Sequence, residues 1–114
     1  MNMMDEEIVG DIIRNLSKLV VLWSISRKIQ SGYSLIRETE KITGQRFHPG
    51  IVYPLLYKLE EGGFIVGDWV QKGRKRTKYY SITERGRESL DRMRKLFELP
   101  LRKVLQDFLN ENLE

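Results

Sequence analysis

The sequence predicts a mainly helical α+β fold, and three observations carry that expectation. Apolar residues recur every three or four positions through most of the chain, in stretches that start near Glu6, Pro49 and Glu84. One segment breaks that period: residues 64–70 and 79–83 are rich in β-branched and aromatic side chains and flank Gly73, the composition of a two-stranded ribbon. No repeat, low-complexity tract or long linker divides the chain, so its 114 residues read as one compact unit, with a core small enough to favour subunit association.

The first helix is expected from Glu6 to about Arg27, with one apolar row at Ile8, Ile12, Leu16, Val20 and Trp23 and a second at Ile13, Leu19, Leu22 and Ile25. A face that broad suggests burial on two sides, one against the core and one against a second subunit. Ser31 is a natural N-cap for a short second helix over 32–41, with Tyr33, Leu35 and Ile36 turned inward and an end near Thr43-Gly44. Pro49, with its fixed φ, suits the first turn of a third helix that stops at Gly62-Gly63. Pro54 lacks an N–H and crowds the carbonyl of Gly50, which predicts a bent or 3₁₀-like opening turn. Leu55, Leu56 and Leu59 then face the core while Tyr57 and Lys58 look outward. After the ribbon, Thr83 caps a last helix from Glu84 to roughly Leu113. Its stripe of Leu90, Met93, Phe97, Leu101, Val104, Leu105 and Phe108 has the spacing of a helix laid on another helix, with a kink expected at Pro100.

Three helices, a two-stranded wing and a long apolar-striped terminal helix make a winged helix-turn-helix, residues 1–83, followed by a C-terminal dimerisation helix, residues 84–114. At this point the sequence resembles the PadR family of transcriptional regulators, in particular its short members with a single C-terminal helix. The resemblance rests on Gly32-Tyr33-Ser34-Leu35-Ile36, on the block from Gly50-Ile51-Val52-Tyr53-Pro54 to Gly62-Gly63-Phe64-Ile65, and on Lys78-Tyr79-Tyr80-Ser81-Ile82-Thr83-Glu84-Arg85-Gly86. It covers roughly residues 18–95. It implies a homodimeric DNA-binding regulator, a repressor in the first instance, and planar hydrophobic effectors in some members.

Charge points the same way. Twenty Lys plus Arg against 16 Asp plus Glu leaves a net charge of +4, and cations concentrate at Lys72, Arg74, Lys75, Arg76 and Lys78, a local cluster suited to double-stranded DNA. These side chains, with Thr77, are expected on phosphates, where they add affinity and salt dependence more than sequence readout. Readout is expected from Gln45, Arg46, His48, Gly50, Tyr53, Tyr57 and Lys58 in and before the third helix, with Tyr33 beside them. Ile8, Ile12 and Leu16 are expected to join the terminal stripe in the subunit interface. A small hydrophobic effector could enter between the subunits; a fully packed interface is the alternative. Trp23 and Trp69 read as packing residues.

Other function classes find little support. Without cysteine there is no thiolate site or disulfide, which suits a cytoplasmic address, and a lone histidine builds no metal centre. No metal or cofactor is expected. The longest apolar run, Leu19 to Trp23, is far short of a membrane span, and the acidic start suits no secretory signal. Adjacent carboxylates such as Glu60-Glu61 diverge by about 100° on a helix and make no acid/base pair, so an enzyme is not expected. The remaining alternative is a winged helix used for protein or RNA contact, since the scaffold alone does not fix its ligand.

Overall fold

The computed structural model describes residues 3–111, so the expected helix end near Leu113 lies outside the described residues. The order of elements is α1 (Met3–Arg27), β1 (Gln30–Ser31), α2 (Gly32–Thr43), α3 (Pro49–Glu61), β2 (Ile65–Lys72), β3 (Lys75–Ile82), α4 (Glu84–Leu96), a π turn (Phe97–Leu101) and α5 (Arg102–Asn110). This is a winged helix with helical extensions at both ends, 60 × 32 × 24 Å overall.

Local chemistry sets most of the boundaries. Ser31 Oγ accepts the Ser34 N–H at 3.2 Å to open α2, and Gly44 closes it at φ 71°. The opening turn of α3 is partly 3₁₀, as the proline predicts: the His48 carbonyl accepts from both Ile51 and Val52 N–H. Pro54 is accommodated inside that helix, which runs on to Glu61. Gly73, at φ 62°, takes the first central position of the wing turn, where the chain needs positive φ. Thr83 Oγ1 accepts the Gly86 N–H at 3.1 Å and starts α4.

The ribbon belongs to a three-stranded antiparallel sheet in the order β1-β3-β2, not the two-stranded one expected. Gln30 pairs with Tyr80 and Ser31 with Tyr79. The buried Gln30 side chain also donates to the Ser24 carbonyl at 2.8 Å and accepts from Ser34 Oγ at 3.1 Å, joining the end of α1 to the start of α2. Val21, Leu22 and Ile25 of α1, Leu35 and Ile36 of α2, and Val52, Leu55, Leu56 and Leu59 of α3 meet Ile65, Tyr80 and Leu90 in one core. Burying a leucine of that kind contributes roughly 1.5–3 kcal/mol.

Three expectations are corrected. Leu90, assigned to the subunit interface, is only 6% exposed inside its own subunit's core, and Met93 packs against the same cluster. Tyr33 is not inward: it stands on the solvent side of α2, 68% exposed. At Pro100 the chain widens into a π turn in place of a simple kink, with the Arg102 N–H reaching the Phe97 carbonyl five residues back. A proline there has no N–H to give and crowds the Leu96 carbonyl, and a wider turn relieves both constraints. No helix among the described residues is long and apolar enough to cross a membrane.

Candidate nucleic-acid interface

Tyr53 of α3, the start of α2 and the wing border one groove of about 510 Å³. Tyr53 leans from α3 over Gly32, where a Cβ would lie 2.6 Å from its ring, so the glycine at the start of α2 lets the two helices close at this point. Tyr33 and Tyr53 line one side, and Trp69 with Lys75, Arg76, Thr77 and Lys78 lines the other. His48, Gly50, Tyr57 and Lys58 are exposed along the same helix or at its cap. The Glu61 carboxylate one turn beyond Tyr57 holds that phenol's pKa above its ordinary value, keeping it a neutral donor. Gln45 and Arg46 project from the α2–α3 connection, whose backbone is fixed by Thr43 Oγ1: it accepts the Gln45 N–H at 3.1 Å and donates to the Gln45 carbonyl at 3.0 Å. Arg46 thus leaves from a held backbone with an exposed side chain, as a reader of base edges requires.

At the wing tip Lys72 faces Lys75 directly, with Arg74 in the turn between them and Arg76 opposite Gln71. Like charges placed across a strand pair destabilise the ribbon, and Lys72, Arg74, Lys75 and Arg76 enter no ion pair among the described residues. That repulsion is relieved by a polyanion. Arg76 is also stacked on the Trp69 ring, its guanidinium carbon 4.5 Å from the centroid.

Lys78 departs from expectation. Its ammonium turns onto Glu60 of α3 at 2.7 Å, and that hydrogen bond holds its pKa above the ordinary lysine value. A cation already satisfied this way has little to offer a phosphate, so Lys78 leaves the set of free wing cations. Trp69, expected to pack in the core, is instead 55% exposed in the groove. Ile65, Gly67 and Trp69 share one face of β2, and cover falls along it from the buried Ile65 through the partly buried Gly67 to the exposed Trp69. The start of α2 forms a wall of the groove that the sequence does not signal, because β1, which places it there, is only two residues long.

The apolar residues expected to meet a second subunit are distributed as follows. Ile8, Ile12 and Leu16 of α1, and Val104, Leu105 and Phe108 of α5, are exposed, while Phe97 and Leu101 are half-buried.

Helix-turn-helix, recognition-helix face and basic wing together define a winged-helix protein of the transcription-regulator class. The chain belongs to the transcriptional regulator PadR-like family, which it matches over residues 21–92. The members of that family are regulators and not enzymes. Among solved structures it is similar to a protein of Thermoplasma acidophilum (27% identity, 89% of this chain and 95% of that one, TM-score 0.74). It is also similar to a PadR family transcriptional regulator from Eggerthella lenta (26% identity, 99% and 98%, TM-score 0.68). A third similar structure, Bacillus subtilis PadR in complex with operator DNA, has 26% identity over 68% of this chain and 46% of that one, with a TM-score of 0.63. No curated protein matches the chain.

Proposed function

We propose that this chain is a homodimeric regulator that binds operator DNA and represses transcription by occupying the promoter. The observation that carries the proposal is the shared groove: the unpaired wing cations Lys75 and Arg76 border the same space as Tyr53 of α3 and Tyr33 of α2, and His48, Tyr57 and Lys58 are exposed on α3 or at its cap. The operator complex of the Bacillus subtilis relative supports the same use of the fold. In this reading Lys72, Arg74, Lys75, Arg76 and Thr77 hold phosphates. Arg46 offers two donors to a guanine, and Gln45 pairs with an adenine, contacts worth roughly 1–3 kcal/mol each.

Selection of bound duplexes from random oligonucleotides tests this directly. The parent chain is expected to enrich one operator with two half-sites about 10 bp apart, as two recognition helices on one face of DNA require. Arg46→Ala and Tyr57→Phe should enrich different sequences. If both return the parent operator at parent affinity, base readout lies elsewhere, and if no duplex is enriched at all, a protein or RNA ligand replaces the proposal.

The wing has its own signature. Each phosphate contact adds about 0.9 to the slope of log affinity against log salt. Replacing Arg74, Lys75 and Arg76 by Ala is therefore expected to flatten that slope and to weaken all sequences alike. An unchanged slope would take the wing out of the interface.

The proposed subunit boundary also borders Trp23, 38% exposed on α1. A small hydrophobic effector entering there would alter its emission. Titration with planar aromatic compounds that leaves the emission unchanged removes the effector from the proposal.

A further inference from the structure

We propose that Glu60, in the last turn of α3, is a positioning residue that sets the attitude of the wing and, through it, the aim of Arg76; this rests on the DNA-binding reading above. Its carboxylate serves both wing strands. One oxygen accepts from Lys78 Nζ on β3 at 2.7 Å, and the other accepts the Gly67 N–H on β2 at 3.1 Å. Gly67 makes room for this arrangement, because a Cβ there would lie 2.3 Å from Lys78 Cε and 3.1 Å from the Glu60 oxygen.

From Lys78 the contacts continue outward. Its ammonium lies 5.4 Å from the Tyr80 ring centroid and 5.7 Å from that of Trp69, and Trp69 in turn carries the Arg76 guanidinium at 4.5 Å. Register explains the order. Gly67 faces Tyr80, Trp69 faces Lys78 and Gln71 faces Arg76, so these side chains share one face of the ribbon. A ladder of alternating cations and rings thus runs from the recognition helix to the wing tip.

Two further arguments favour this role. First, β1 pairs only with Tyr79 and Tyr80, so the outer part of the wing is a two-stranded ribbon, marginal by itself in water. The Glu60–Lys78 contact ties β3 to α3 just beyond that point. Second, a carboxylate beside a groove meant for a polyanion opposes binding through simple Coulomb repulsion. Its presence there is explained by what it holds.

That conflict fixes the sign of the test. Neutralising Glu60 should tighten DNA binding if only its charge matters and weaken it if it positions the wing. With the full chain and a pool of random-sequence duplexes at low salt, E60Q is expected to bind about fivefold more weakly than the parent, within the range coupled neighbours show. R76A should then cost less in the E60Q background than alone. K78Q should reproduce the E60Q loss and flatten the salt slope no more than E60Q does, because the Lys78 charge is spent on Glu60. E60Q binding as tightly as the parent or more so, independent multiplication of the E60Q and R76A effects, or a slope flatter in K78Q than in E60Q would each overturn the proposal. A second measurement needs no DNA. In a W23F background Trp69 is the sole tryptophan, and E60Q is expected to change its emission as the cations above the ring disperse; an unchanged spectrum overturns the positioning role. If the parent itself fails to bind the duplex pool, the DNA reading fails, while the Trp69 spectrum still decides what Glu60 does.

Discussion

Gly86→Ala is expected to lower the melting temperature by roughly 10 °C, an effect of about 2 kcal/mol in a domain of this size. Gly86 sits in the first turn of α4, where alanine would ordinarily gain about 1 kcal/mol in helix propensity. Space reverses the sign. A Cβ at this position would lie 2.3 Å from the Phe64 carbonyl oxygen and 2.6 Å from Ile82 Cγ1. The carbonyl cannot easily withdraw, because it accepts the Thr83 N–H at 3.1 Å, and Thr83 is itself the cap of α4. Ile82 cannot withdraw either, since it pairs with the buried Ile65 at the base of the wing. Strain of this kind reaches about 3 kcal/mol, which exceeds the propensity gain. Gly50→Ala is the matched control: Gly50 also lies early in a helix, has nothing within 4 Å of its would-be Cβ, and should leave the melting temperature unchanged or raised. Equal melting temperatures for Gly86→Ala and the parent would contradict this account of the junction.

The parts of this fold that were legible in the sequence are those set by neighbours along the chain. Ser31, Gly44, Pro49, Gly73 and Thr83 each mark a boundary through their own backbone preferences or a side-chain bond to a residue two or three positions away, and each stands where it was expected. The core leucines of α3 follow from period alone, whereas in α1 period picks out Leu22 and Ile25 but leaves the buried Val21 in neither row and counts the exposed Ile13 with them. What was not legible depends on partners far along the chain. Lys78 reads as one more wing cation until Glu60, 18 residues earlier, is brought against it. Leu90 belongs to the helical stripe by spacing, yet α4 packs its first turns on the core, so its apolar surface is already covered. A two-residue strand such as β1 carries no period at all, and Tyr33 beside it could not be oriented without it. Trp69 misled through its composition, since a large aromatic suggests burial, whereas here it stands as a platform for Arg76.

Phe108→Asp and Ile12→Asp are each expected to convert a dimer into a folded monomer and to lower operator affinity by two orders of magnitude or more, the loss that follows when two linked binding modules become one. Both side chains are more than half exposed in the single subunit, so a carboxylate at either place leaves its core intact and circular dichroism should be unchanged. In a dimer the same carboxylate would be buried without a partner, at a cost of several kcal/mol. The expectation of a partner comes from the extent of the uncovered surface: Ile8, Ile12 and Leu16 on α1 together with Val104, Leu105 and Phe108 on α5 form apolar faces of a kind that monomeric proteins rarely leave in water. The π turn supports continuity along the terminal helix. By sequence Phe97, Leu101, Leu105 and Phe108 follow one another at separations of 4, 4 and 3. The wide turn over Phe97–Leu101 absorbs one residue, so the first separation acts as about three and the seam takes the alternating three-four phase of helices that pack side by side. Sedimentation that shows the parent chain to be a stable monomer, or either variant to be an unaltered dimer, would refute the assignment of these faces to a second subunit.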